Sequence, residues 1–260
     1  MLEYDQIKEY FAASLARKNP KGILVEYLQY EFLDSLFKQS GAQNLSFIGG
    51  TAIRIIHGSE RFSEDLDFDN FGLVYKDFKI ITAKALAEIK LKGFQVEAKF
   101  LSKKDNYHVY IRFPDLLFKY GITGHREEKV FIAVDVQKKE KVFEPEVKNI
   151  NKFGIFRNIA VNPVSVLLSQ KLMTILYRKR EKGRDFYDAS YLSGKTKADF
   201  GYIKKMTSLN KEEFGRQISV RCDKSNFKAL ARDVEPFLFD AEQINRVLSF
   251  KDSLPAILSA

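Results

Sequence analysis

Two carboxylates one residue apart, placed shortly after a glycine pair, are the first residues in this chain with the makings of a reaction centre. The stretch Phe47-Ile48-Gly49-Gly50-Thr51-Ala52-Ile53-Arg54 reads as a short buried strand running into two glycines and then a helix. Glycines permit backbone conformations and close approaches that side chains forbid, and the first amides of a helix suit a phosphate. Then follows Arg61-Phe62-Ser63-Glu64-Asp65-Leu66-Asp67-Phe68. On a strand Asp65 and Asp67 point to one face. Such carboxylates repel each other without a counter-cation, and hard oxygen donors suit Mg²⁺, which binds through one or two carboxylates and substrate phosphates. Together these are parts for phosphoryl or nucleotidyl transfer. Gly-Gly alone is usually a turn, and Asp-x-Asp alone is usually an exposed strand or loop; the combination carries the reading.

A third carboxylate stands in Val130-Phe131-Ile132-Ala133-Val134-Asp135-Val136, a strand that is otherwise apolar. A carboxylate there is costly unless it is paired, metal-bound or at a wet strand end. Asp105 and Asp115 lie in turn-like contexts, and Asp69 extends the Asp65-Asp67 run beyond the expected metal shell. In the second half, Gln170-Lys171-Leu172-Met173 opens a helix that leads to Arg184-Asp185-Phe186-Tyr187-Asp188. Asp185 and Asp188 are helix neighbours at i, i+3, and from spacing alone a helix cap with a surface ion pair explains Arg184-Asp185. The three histidines, His57, His108 and His125, are scattered without zinc spacing and receive no role.

The glycine and aspartate stretches resemble the nucleotidyltransferase superfamily that includes DNA polymerase beta. More closely, they resemble the AbiEii/AbiGii toxin family, whose Gly-Gly-Thr-Ala and Arg-Phe-Ser-x-Asp-Leu-Asp-Phe stand here as Gly49–Ala52 and Arg61–Phe68. The resemblance covers residues 47–69 and 170–188. It implies that Asp65, Asp67 and Asp135 hold Mg²⁺ or Mn²⁺, and that Gly49, Gly50, Thr51, Arg54 and Ser63 belong to the nucleotide site. It further implies that Lys171 contacts a triphosphate, with Asp188 or Asp185 as base or structural partner. The expected activity is transfer of a nucleotide from a nucleoside triphosphate to an acceptor such as tRNA or another RNA. The chain would then be the toxin of a toxin–antitoxin pair with a separately encoded antitoxin. The competing readings are a nucleotide- or RNA-binding module without transfer, and a metal-dependent phosphohydrolase, which would usually supply more histidines.

Stepping outward to the elements, helical spacing covers residues 2–18 and 23–40, with a break at Asn19-Pro20-Lys21-Gly22. Strands are expected at 45–48 and around 66–68, a helix at 76–92, and a hairpin from 95–102 to 107–113. From Asn162-Pro163 onward helices dominate: 164–180, 184–193, 199–207, 211–220, 225–234 and 241–250. The fold class is therefore α/β, a mixed-sheet lobe over 1–160 and a mainly helical lobe over 161–260; the resemblance implies that the first is of nucleotidyltransferase type and that the second completes the nucleotide site.

The 260 residues, 45% hydrophobic and 13% aromatic, are those of a folded protein rather than a disordered one. A net charge of +9, from 43 basic and 34 acidic residues, fits a polyanionic partner and equally fits an ordinary basic surface. One cysteine, Cys222, excludes an internal disulfide and a cysteine-rich metal site. With no signal-peptide core and no long apolar run, the expected location is the cytoplasm, away from membrane.

Overall fold

The computed structural model describes residues 1–259. Two short helices, α1 (Tyr4–Lys8) and α2 (Ala13–Lys18), precede the long α3 (Pro20–Phe37). The expected break falls at Asn19, and the rest of that segment, Pro20-Lys21-Gly22, already belongs to α3. The Asn19 side chain accepts from the Gly22 backbone N–H at 2.8 Å, and Pro20 occupies the first helical position, where its missing N–H costs nothing. From Ile23 to Leu36 α3 is buried on every side. Its acids are compensated: Glu26 pairs with Arg54 and Lys152, Glu31 with Lys92, and Asp34 with Lys38, Lys92 and Arg157.

Next come β1 (Leu45–Ile48), α4 (Gly49–His57), β2 (Leu66–Asn70), α5 (Tyr75–Leu91), β3 (Glu97–Lys103), β4 (Asn106–Phe113) and the short α6 (Leu116–Lys119). They are followed by β5 (Val130–Lys138), β6 (Glu146–Lys152) and β7 (Ile155–Val161). The seven strands form one mixed sheet in the order β3-β4-β5-β2-β1-β7-β6. Here β2 pairs antiparallel with β1 and parallel with β5, and β1 pairs parallel with β7. The centre of one face is apolar: Val109, Ile111, Val134, Val136, Phe68 and Phe47 are buried. This is the face that α3 and α5 cover, with Phe78 of α5 stacked on Tyr107 of β4. The alternate positions on β4 and β5, His108, Tyr110, Arg112, Phe131 and Asp135, are half-buried or exposed.

The β6–β7 hairpin is absent from the sequence expectation. Its turn, Phe153-Gly154, has φ of 59° and 74° at the two positions, a left-handed pair that usually calls for Asn-Gly or Asp-Gly. Its strands carry Asn149, Asn151 and Asn158, residues depleted in strands.

The remaining helices are α7 (Val164–Tyr177), α8 (Gly183–Ser193), α9 (Phe200–Thr207), α10 (Lys211–Asp223), α11 (Phe227–Val234), α12 (Asn245–Leu248) and α13 (Phe250–Ser259). The helix expected over 241–250 is a 3₁₀ turn at Ala241–Ile244 followed by α12, with α13 beginning where that expectation ends. Pro255 inside α13 hides that helix from a pattern reading. The chain divides into two compact units, residues 1–56 with 62–161, and residues 57–61 with 162 onward. The five residues His57–Arg61 thus belong structurally to the helical unit. The backbone N–H of Phe239 donates to the Glu60 carbonyl, and Arg61 forms a β-bridge with Leu238. Among the described residues no helix is long and apolar enough to cross a membrane.

Candidate active site

In the sheet unit, the turn from β1 into α4 sits directly against Asp67. Gly49 has φ of +77°, and a Cβ built on it would lie 2.2 Å from Oδ2 of Asp67. Position 49 therefore needs glycine twice over, for its left-handed backbone and for the carboxylate packed on it. Gly49, Gly50 and Thr51 are the first turn of α4. Thr51 is buried, and its hydroxyl donates to the backbone carbonyl of Asp65, clamping the start of α4 to the residue before β2. Arg54 donates to Glu26 at 2.8 Å, and the Ser63 carbonyl accepts from Gln29 at 2.8 Å. These two positions tie the loop and α4 to α3.

The register of β2 and β5 places Asp67 opposite Asp135. Paired residues on adjacent strands share a face and stand about 5 Å apart, so the two carboxylates rise side by side. Asp65 is half-buried at the foot of β2, whereas Asp69, further along the same strand, is 1% exposed. On the other side of Asp135 the register brings His108 of β4, with Nδ1 2.5 Å from Asp135 Oδ1. Nδ1 is the ring nitrogen that faces the carboxylate, and in the tautomer with its proton there His108 donates to Asp135. His108 is the member of this cluster that the sequence reading left without a role. The signal was its place in the β3–β4 hairpin: alternation puts it on the face opposite buried Tyr107 and Val109.

This donor set suits Mg²⁺. Hard carboxylate oxygens on neighbouring strands are donors that Mg²⁺ takes, and the side-chain-free Gly49 leaves backbone rather than bulk next to Asp67. Among the described residues no three His, Cys, Asp or Glu side chains are gathered into a ready-made metal cage. The pair is of the open kind that substrate oxygens complete.

In the helical unit the second motif folds into a buried ion-pair cluster. Asp188 is 0% exposed and accepts two hydrogen bonds from Arg61, at 2.7 and 2.6 Å. The Lys171 ammonium reaches Asp185 at 3.0 Å and Asp188 at 2.8 Å, and Arg178 also pairs with Asp185. Burial alone would raise the Asp188 carboxyl, but Arg61 and Lys171 outweigh it and hold it below the usual carboxylate value. Burial likewise opposes the charge on Lys171, yet Asp188 and Asp185 keep its ammonium above the usual lysine value. Arg61 is held charged in the same way against burial, chiefly by Asp188. The sequence reading grouped Arg61 with the aspartate motif; the structure assigns it to this cluster.

The fold has relatives. The chain is similar in fold to the MenT4 nucleotidyltransferase toxin of Mycobacterium tuberculosis H37Rv, at 15% identity and a TM-score of 0.62, with 98% of this chain and 90% of that chain covered. It is also similar to JHP933 of Helicobacter pylori, at 16% identity and a TM-score of 0.55, with 92% and 93% covered. No curated protein matches the sequence. Residues 31–254 match the family described as nucleotidyl transferase AbiEii toxin, type IV TA system. With nearly the whole chain inside that match, the protein belongs to the AbiEii nucleotidyltransferase toxin family.

Proposed function

We propose that the protein transfers a nucleotide from a nucleoside triphosphate to a hydroxyl of an RNA acceptor, with Mg²⁺ or Mn²⁺ held by Asp67 and Asp135 beside Asp65. The observation that carries the reading is the Asp67–Asp135 register beside the bare Gly49 turn. The acceptor oxygen forms a bond to the α-phosphorus while the bond to the β-phosphate bridge breaks, pyrophosphate leaves, and the hydroxyl proton passes to the Asp135 carboxylate. The His108 hydrogen bond occupies one lone pair of Asp135 Oδ1, leaving the second lone pair of that oxygen and Oδ2 for the cation and the proton. The metal supplies charge neutralisation at the phosphates when bound. The first turn of α4, with Gly49, Gly50 and Thr51, offers backbone amides to the phosphates. Catalysis is then mainly positioning and electrostatics.

Lys171 enters this reading as a triphosphate contact. Exchanging one carboxylate partner for a phosphate oxygen leaves its charge compensated, so the exchange is affordable even for a buried ammonium. The toxin family also supports a separately encoded antitoxin and action inside the cytoplasm.

Titration of the wild type with each nucleoside triphosphate, with and without Mg²⁺, tests the assignment. Asp67→Asn should lose the metal-dependent part of binding with its melting temperature kept. Lys171→Ala should weaken binding by roughly tenfold or more, in line with about 1.5–3 kcal/mol for a charge-assisted contact. Unchanged metal-dependent binding in Asp67→Asn removes the metal assignment.

A further inference from the structure

We propose that the uncovered face of β3, β4 and β5 is a stacking platform for the single-stranded end of the nucleic-acid acceptor, with Tyr110 and Phe131 as base-stacking rings. This rests on the transferase reading above and names where its acceptor lies. The platform is continuous with the reaction centre. Starting from His108 opposite Asp135, β4 presents Tyr110 and then Arg112 on the same face, in steps of about 7 Å. Phe131 of β5 is the register partner of Arg112, whose guanidinium stands 5.5 Å above the Phe131 ring. Lys99 and Leu101 of β3 flank Tyr110 and His108.

The exposure of these groups is what calls for a partner. Phe131 is 54% exposed and Tyr110 41% exposed, although the opposite face of the same strands is fully packed. Burying neither ring in the core leaves much of both rings in water, with Arg112 over one face of Phe131. Among the described residues Lys99, Lys103 and Arg112 take part in no ion pair, while Glu97, the acid nearest Arg112 in the register, is paired with Lys129 at 3.4 Å. The net balance is positive away from Asp135. Aromatic rings interleaved with uncompensated cations match unstacked bases and phosphates, as on other single-strand-binding sheets. A protein partner of acidic character would have used the cations but not the flat, spaced rings.

The test uses the full chain and short labelled oligonucleotides: one single-stranded RNA, the same sequence as single-stranded DNA, and a blunt RNA duplex. Binding is read by fluorescence anisotropy for the wild type, Tyr110→Ser, Phe131→Ser and Arg112→Gln. Because all three side chains are exposed, melting temperatures should stay at the wild-type value. Each aromatic replacement should weaken single-strand binding roughly five- to a hundredfold, the loss expected per stacked base, with nucleoside triphosphate affinity unchanged. Preference for RNA over DNA identifies a contact to the 2′-hydroxyl and retains the platform. Unaltered single-strand affinity in both aromatic variants overturns the proposal, as does equal loss for the duplex, or wild type that binds no oligonucleotide. Failure of the transferase reading looks different: single strands bind through Tyr110 and Phe131, yet no labelled nucleotide is ever transferred to them. Conversely, label transferred equally well by wild type and Phe131→Ser sinks the platform and leaves the transferase standing.

Discussion

Gly49 and Asp188 show at single positions how this chain separates chemistry from stability. At Gly49 an alanine Cβ meets the Asp67 side chain, Oδ2 at 2.2 Å, Cγ at 2.9 Å and Cβ at 3.0 Å, rather than backbone. The carboxylate can swing away, so Gly49→Ala should keep most of the fold, losing about 1–2 kcal/mol for the left-handed backbone. Metal-dependent nucleotide binding should fall sharply, because the displaced carboxylate no longer stands beside Asp135. Calorimetric titration with Mg²⁺ present and absent checks this, and full metal-dependent binding in the variant would contradict it. Asp188 behaves oppositely. Asp188→Asn leaves Arg61 and Lys171 buried without their common carboxylate, and should cost about 3–5 kcal/mol of stability. The pH dependence follows from the directions of the shifts. Asp188 is lowered in the fold, so its contribution is present above the unfolded carboxyl value of about 3.9 and is lost only as pH falls through the still lower folded value. Lys171 is raised, so its contribution is present below the unfolded value of about 10.4 and is lost only above it. Thermal melts of wild type and Asp188→Asn should therefore differ by a constant amount between about pH 5 and pH 9.

The elements that hold these residues were unequally legible. β1, β2 and β5 announce themselves because buried strands need apolar runs, and the aspartates interrupt those runs where the face turns half-exposed. Paired register, which sets Asp135 against Asp67 and His108 against Asp135, is a property of two strands and is written in neither one. The same holds for Arg61. Its neighbours in sequence lead to β2, but its guanidinium is spoken for by a residue 127 positions away. Sequence periodicity marks 23–40 as helical without showing how deeply it lies; ion pairs to Glu26, Glu31 and Asp34 let α3 be buried all round. In the helical unit, Gly183 begins α8 where α11 crosses closely: a Cβ there would lie 1.8 Å from the Leu230 carbonyl oxygen, and the Gly183 N–H donates to Asp233 at 2.8 Å. Backbone cannot swing aside as a carboxylate can. Gly183→Ala should thus destabilise by about 3 kcal/mol, at the upper end for overpacking. Chemical denaturation reads the value, and a change below about 0.5 kcal/mol would show that the two helices are free to separate.

At the scale of the whole molecule, the chain devotes one unit to a sheet bearing the carboxylates and another to a helical body built around a buried charge cluster, with the net charge of +9 favouring anionic partners. Family membership makes it a nucleotidyltransferase; to this we add, as proposals, a metal pair on β2 and β5, a histidine that steadies the base, and an acceptor surface beside them. The most direct test is transfer itself. Wild type, Asp67→Asn and Asp135→Asn are each incubated with α-labelled nucleoside triphosphates, Mg²⁺ and total RNA, and the RNA is resolved on a denaturing gel. The account predicts labelled RNA with the wild type for at least one nucleotide, dependent on Mg²⁺ and absent in both variants. Label that appears equally with Asp67→Asn, or no label on RNA with any of the four nucleotides, would contradict it.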